Sequence, residues 1–264
     1  MNMVHIVSVD TSQCTRCGLC RKDCPHDAWV IADEGAKVIS QECQKCGHCV
    51  AICPQNAISI SGFEDAPEPL CDVTPDPETL LAMMKGRRSI RHFTQRDVPP
   101  EIVEKIIEAG RYTPTGLNRQ GVSYVVLREN KDEYERIAVS AWRKLLPIVR
   151  VLFKPFRHLR IDDQYCFRGA PVVIVIKSEN VSFGAVDIID GALAASAMEI
   201  MARSYGLGAL YSESLTNATK FSRKLKRKLS AGSKGKILIT LLLGYPAVTY
   251  HRTAQKERPI VRYD

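Results

Sequence analysis

Eight of the chain's ten cysteines fall within its first 53 residues, in two quartets of one design. Cys14, Cys17, Cys20 and Cys24, followed by Pro25, have the spacing C-x2-C-x2-C-x3-C-P, and Cys43, Cys46, Cys49 and Cys53, followed by Pro54, repeat it 29 positions later. Gly18 and Gly47 keep the same register, as do Ala28 and Ala57, so the segment is an internal duplication. A disulfide framework is the first alternative for so many cysteines, but such frameworks belong to small secreted domains. The opening MNMVHIVSVD lacks the basic start and long apolar core of a secretion signal, and the apolar run from Ile237 to Leu243 is too short to span a bilayer. These features predict a cytoplasmic protein whose quartets ligate metal.

Each pair of residues between cysteines lets the backbone curl around a cubic cluster, offering three thiolates to three irons, while a fourth ligand comes from elsewhere. Paired zinc sites are the competing reading, since C-x2-C knuckles and tetrahedral S4 sites suit zinc. Compact, duplicated, proline-terminated tetrads fit zinc poorly. Residues 4–60 resemble the bacterial two-cluster ferredoxins, in which the fourth cysteine of each motif ligates the other cluster. The resemblance implies two 4Fe-4S clusters, one on Cys14, Cys17, Cys20 and Cys53, the other on Cys43, Cys46, Cys49 and Cys24. Short runs at Val4–Val9, Trp29–Ile31, Lys37–Ser40 and Ala57–Ile60 read as two hairpins around the metal centres.

The stretch SGFEDAPEPLCDVTPD is acidic and proline-rich, which breaks periodicity and marks a junction. The expected organisation is a cluster domain over residues 1–62, a linker over 63–77 and a larger domain over 78–264. Cys71 and Cys166 lie outside any ligand spacing and read as ordinary thiols. Asp76 and Pro77 look like the N-cap and first position of a helix running to Gly86. Further helices are expected at 99–112, 131–146, 185–205 and 217–229, with strands at Tyr124–Leu127, Val172–Ile176, Ala209–Tyr211 and Ile237–Leu242. The stretch from Val186 to Tyr205 is apolar around most of its circumference, which predicts a central helix buried against the sheet or a partner subunit.

No G-x-G-x-x-G or P-loop occurs in the larger domain, which argues against a Rossmann site or an ATPase. Arg87-Arg88-Ser89-Ile90-Arg91 instead gathers three guanidinium forks and a hydroxyl, a set that suits phosphate. Alone, the pentapeptide also reads as a solvated turn. Three other segments occur with it in order: Y-T-P-T-G-L-N-R-Q at 112–120, the apolar helix with Asp187 and Asp190 ending in G-L-G, and L-G-Y-P at 243–246 with a basic tail. Together they resemble the FMN-dependent nitroreductase family from about residue 78 to 263. The implied fold class is α+β: a small ferredoxin-type hairpin-and-helix domain followed by a nitroreductase-like α/β sandwich with a central mixed sheet wrapped by helices.

By that resemblance Arg87, Arg88, Ser89 and Arg91 hold the FMN phosphate and ribityl chain, and Lys256 or Arg258 completes the phosphate clamp. Asn118 and Gln120 meet the flavin edge in a loop set by Pro114 and Thr115, and Ser212 and Glu213 lie near the reactive ring nitrogen. The family carries its flavin at a homodimer interface. Gly121 and Val122 depart from the Pro-Trp that family members often place after the glutamine. The segment from Trp142 to Phe167 matches no family motif and reads either as a lid over the flavin or as a packed surface excursion.

No protein nucleophile stands out, so the expected chemistry is FMN-borne, with electrons entering through the clusters from a ferredoxin-type donor or NAD(P)H. The implied enzyme is an FMN-dependent oxidoreductase reducing a small conjugated acceptor of the nitroaromatic, quinone or enone class, suited to an anaerobe. The alternative is a non-catalytic electron-transfer module docking onto a larger redox complex. The formal charge of +8 is concentrated in Lys220–Lys236. There Phe221, Leu225 and Leu229 recur at helical spacing, predicting a solvated basic helix face rather than a nucleic-acid surface; steering of an acidic redox partner or anionic substrate is the other reading.

Overall fold

The computed structural model describes residues 6–39, 43–179, 185–230 and 235–264. The chain folds into two compact units, Met1–Thr74 with Leu117–Arg119, and Pro75–Gly116 with Gln120–Asp264.

In the N-terminal unit the duplication is visible in the backbone. Each motif runs from a left-handed residue (Arg16, φ 58°; Lys45, φ 55°) through a left-handed glycine (Gly18, Gly47) into a single helical turn, α1 (Leu19–Lys22) or α2 (His48–Ala51). Glycine suits that position because it adopts positive φ without steric cost. Strand β1 (Val7–Val9) pairs antiparallel with β4 (Ile58–Ile60), and β2 (Trp29–Ala32) with β3 (Gly35–Val38). Only the second pair is a hairpin. The expectation of two hairpins is corrected: the first and last strands pair across the duplication, which closes the unit on itself. Val4 and Ser40 lie outside the described residues. Ala28, Trp29, Ala36, Ile58, Cys20 and Cys49 form its buried core.

Residues 61–76 carry no helix or strand and are exposed. Helix α3 (Pro77–Lys85) then starts as expected, with the Asp76 carboxylate accepting from the Thr79 amide at 2.8 Å and Pro77 at the first position. Helix α4 (Pro100–Arg111) follows.

The second unit is built on a four-stranded sheet of β5 (Val122–Leu127), β6 (Val172–Ser178), β7 (Gly208–Tyr211) and β8 (Ile237–Gly244), in the order β5-β6-β8-β7. All three ladders are antiparallel, and among the described residues the parallel pairing is an isolated bridge from Ser89 to Ala209, outside the named strands. Its strands read as nearly continuous apolar runs because both faces are covered. Alternation sends Val172, Ile174, Ile176, Leu241 and Leu243 to one face, against Val103 and Ile106 of α4 and Ala195, Met198 and Ala202 of α6 (Ala185–Ser204). Val173, Val175 and Leu242 face the other side, against α5 (Lys131–Leu152), α7 (Glu213–Phe221) and α8 (Arg223–Ser230).

Two expectations need adjustment. Helix α5 continues past Pro147 to Leu152. The helix expected at 217–229 is two helices broken at Ser222, whose hydroxyl accepts from the Leu225 amide at 3.2 Å and so starts the second. The basic second helix does bury Leu225 and Leu229, as its spacing implied, whereas Phe221 is exposed. The central helix ends as a Schellman turn: Gly206 has φ 73°, and the Leu207 amide reaches back to the Ala202 carbonyl at 3.0 Å.

Candidate functional site

In the N-terminal unit two cavities are lined by the cysteines in an exchanged pattern. One is lined by Cys14, Cys17, Cys20 and Cys53 together with Gly18, Ile31, Ala36 and Ile58. The other is lined by Cys24, Cys43, Cys46 and Cys49 together with Val7, Trp29, Val38 and Ile60. Three thiols of one motif and the fourth of the other thus surround each space. Among the described residues no three His, Cys, Asp or Glu side chains converge on a single point. Thiols spread around a volume suit a polynuclear group whose irons are separately ligated.

Backbone amides aim at the sulfurs: Lys45 N–H donates to Cys43 Sγ at 3.4 Å, and Ala57 N–H to Cys53 Sγ at 3.3 Å. Burial pushes the Cys20 thiol up, and burial with neighbouring Cys46 pushes Cys49 up to about 11. Without a cation these groups stay protonated; ligation displaces the protons.

In the second unit the 87–91 segment lies beside β7. Ile90 N–H donates to the Ala209 carbonyl at 2.9 Å, and Ser89 bridges to Ala209. Arg87 is pinned: its Nη1 donates to Glu199 Oε1 at 2.9 Å and Oε2 at 3.2 Å, and Glu199 is buried on α6. Tyr211 stands beside the same carboxylate, and burial followed by that negative charge pushes its phenol well up. Arg88 lies over the Tyr250 ring, 5.1 Å from its centroid, and Arg91 is exposed. Among the described residues neither is paired with a carboxylate, so two of the three guanidinium groups keep their charge available for an anion.

The 112–120 loop is strained. Leu117, Asn118 and Gln120 all have positive φ (55°, 49° and 49°), which for side-chain-bearing residues is uncommon and clusters at functional sites. Asp190 of α6 accepts the Gly116 amide at 3.0 Å, and Thr115 Oγ1 accepts the Gln120 amide at 3.0 Å. A side chain at Gly121 would meet nothing within 4 Å, so the place where the family often has proline is open. Pro114 and Gln120 are exposed.

Other expected residues are placed less favourably. The Asn118 amide group donates to the carbonyls of Gln44 and Lys45 within the N-terminal unit. Ser212 is buried, its amide bonded to the Thr240 carbonyl at 2.8 Å and its hydroxyl to the Cys166 carbonyl at 2.7 Å, so it caps α7 and offers nothing outward; Glu213 beside it is exposed. Lys256 and Arg258 are exposed, and among the described residues neither is joined by a hydrogen bond or ion pair to the 87–91 segment.

Half of the 142–167 stretch is packed: Trp142 Nε1 donates to the Ser214 carbonyl at 2.7 Å, and Cys166 and Phe167 are buried. The other half leaves Val151, Leu152, Phe153 and Phe156 exposed. A wide hollow between α5 and the break from α7 to α8, lined by Arg136, Lys144, Phe221 and Lys224, shares no residue with the quartets or the arginine segment.

Glu199, Tyr211 and Asp190 escaped sequence reasoning as site residues. For Glu199 and Asp190 the available signal was acids on a largely apolar helix, which must find partners once buried; Tyr211, in a short strand, carried none.

A family model described as Nitroreductase family matches residues 84–245. The chain belongs to the nitroreductase family. A second model, the 4Fe-4S dicluster domain, matches residues 6–54 ahead of it, so the chain is the fusion that the sequence implied. A solved nitroreductase with bound FMN from Desulfitobacterium hafniense has a TM-score of 0.59 at 17% identity, covering 70% of this chain and 98% of its own. One from Bacteroides fragilis, also with FMN, has a TM-score of 0.58 at 21% identity over the same shares. A third, from Desulfovibrio desulfuricans in complex with FMN, reaches 0.51 at 25% identity, covering 71% and 94%. These likenesses establish the α+β fold of the second unit. Among curated proteins, one named for NADH dehydrogenase/NAD(P)H nitroreductase from Methanothermobacter thermautotrophicus is 34% identical over 58 residues, which span 22% of this chain and 30% of that protein. Family and fold together make this a nitroreductase-like redox protein. Among the described residues no helix is long and apolar enough to cross a membrane.

Proposed function

We propose that this chain is an FMN-dependent oxidoreductase that takes electrons through two 4Fe-4S clusters and reduces a small conjugated acceptor, such as a nitroaromatic, a quinone or an enone. The observation that carries the reading is the exchange of the fourth cysteine between two cavities in a chain whose larger unit is a nitroreductase. When bound, the clusters would supply one-electron transfer and the flavin the coupling of single electrons to two-electron reduction of the acceptor.

The protein's part is binding and tuning. Cys14, Cys17, Cys20 and Cys53 would hold one cluster and Cys24, Cys43, Cys46 and Cys49 the other, with Ile31, Ala36, Trp29 and Val38 excluding water from them. Arg88, Ser89 and Arg91 would hold the FMN phosphate and ribityl chain, with Lys256 or Arg258 closing on the phosphate. Arg87 would orient the segment through Glu199 and lend less net charge, because its carboxylate partner neutralises it. Pro114, Thr115 and Gln120 would shape the flavin edge. The ring nitrogen would be met by backbone near Glu213, since Ser212 is committed to its cap.

A homodimer agrees with the outer face of α6, where Ile188 (55% exposed), Ile189 (56%) and Leu193 (42%) form an uncovered apolar stripe. The donor would be a ferredoxin-type protein or NAD(P)H, and the setting an anaerobic cytoplasm.

The test is an anaerobic spectrum of the purified protein with iron, sulfide, zinc and flavin analysis, followed by reduction with NADH, NADPH or reduced ferredoxin. Two clusters and one FMN per chain, bleached together by one donor and reoxidised by a quinone or nitroaromatic, is the expected result. Zinc without sulfide, or clusters without flavin, refutes it.

A further inference from the structure

Asn118 stands in the loop expected at a flavin edge, yet its side chain serves the cluster unit, to which it belongs with Leu117 and Arg119. Its Nδ2 donates to the Lys45 carbonyl at 2.7 Å and to the Gln44 carbonyl at 3.3 Å. Those two residues lie between the cluster cysteines Cys43 and Cys46. The peptide joining Gln44 to Lys45 accepts from Asn118 at its oxygen and, at its other end, donates Lys45 N–H to Cys43 Sγ at 3.4 Å. A relay therefore runs from the Asn118 amide through one peptide group to a cluster sulfur. A peptide whose oxygen accepts a hydrogen bond is polarised, so its own N–H becomes a stronger donor.

The duplication supplies an internal comparison. Thr15 and Arg16 occupy the matching places in the first loop, and Arg16 repeats the left-handed backbone of Lys45 (φ 58° against 55°). Among the described residues no side chain donates to the carbonyls of Thr15 or Arg16, and the Arg16 side chain instead reaches away to the Asp33 carbonyl. The loops share a backbone and differ in what faces their carbonyls.

We infer that Asn118 tunes the second cluster, the one on Cys24, Cys43, Cys46 and Cys49, and makes it the easier of the two to reduce. This rests on the two-cluster reading above. Reduction adds one electron to a cluster and spreads negative charge over its sulfurs, so a strengthened N–H donor favours the reduced form and raises the potential. An electron entering the unit therefore settles on the second cluster. Asn118 acts through the peptide, as a positioning residue.

The experiment is a redox titration of the whole protein with dithionite through mediators, each cluster taking one electron and followed by electron paramagnetic resonance. Asn118→Ala removes the donor, and the near-isosteric Asn118→Asp replaces it with an acceptor. The wild type is expected to show two separated potentials. Both variants should lower the higher potential toward the other and leave the lower one in place, with iron and flavin contents unchanged. An unmoved higher potential, or a shift confined to the lower one, overturns the inference. Iron loss in both variants overturns it too, since Asn118 would then be a brace for the loop. A wild type that does not hold two clusters refutes the underlying reading before any variant is made.

Discussion

Glu135 offers a sharp test of the packing of the larger unit. It projects from α5 into the core, is 7% exposed, and accepts the Cys166 amide at 2.8 Å through Oε1. Burial, the dominant cause, pushes its carboxyl from the ordinary 4.5 up to about 7. A carboxyl that holds its proton more tightly when folded contributes stability that is full below the unfolded value and is lost as pH rises through the folded one. Between pH 5.5 and pH 8 linkage with these two values removes about 2 kcal/mol from the wild type. Glu135→Gln keeps an acceptor for the amide and cannot ionise, so this loss disappears. Any fixed cost of the amide cancels when the two pH values are compared. The assay is urea unfolding of both proteins at each pH, followed through Trp142, which packs edge-on to Tyr165 at 6.0 Å between centroids and stands on the same helix as Glu135. The expected result is that the variant gains about 2 kcal/mol on the wild type between pH 5.5 and 8. A wild type-to-variant difference independent of pH would refute the argument, and would mean that water reaches the carboxylate.

Three further outcomes follow from the site. Cys24→Ser and Cys53→Ser should each remove about half of the bound iron, the first sparing the cluster on Cys14, Cys17, Cys20 and Cys53 and the second the cluster on Cys24, Cys43, Cys46 and Cys49; survival of the opposite cluster in each variant would refute exchanged ligation. Arg87→Ala leaves the buried Glu199 without its cation and should cost about 2 kcal/mol in thermal or urea unfolding, discounted because the guanidinium is half exposed, whereas Arg87→Met with Glu199→Leu should recover most of it. Ile189→Glu places a charge in the uncovered stripe of α6 and should convert a dimer to monomers by light scattering, with weaker FMN retention; an unchanged mass would remove that face from the interface.

The local steps of this fold were legible because they depend on neighbours in the chain. The spacing of Cys14 to Cys24 and its repeat at Cys43 to Cys53 sets two loops of one shape, Asp76-Pro77 favours a helix start through its carboxylate cap and fixed φ, and Gly206 ends a helix. The apolar runs Val172–Ile176 and Ile237–Leu242 read as strands, and each strand continues two residues further. What the sequence could not supply were choices between equally local alternatives. Whether β1 pairs with its nearest strand or with β4 is decided by closure of the duplicated unit, and whether 217–229 is one helix or two turns on Ser222 capping the second. Tertiary structure alone gave Arg87 to Glu199, sent the Asn118 amide to Gln44 and Lys45, and spent Ser212 on a cap. Each is a polar group whose desolvation had to be met by whichever donor or acceptor the packed chain brought near, and proximity between groups far apart in the chain is not written in the spacing of any motif.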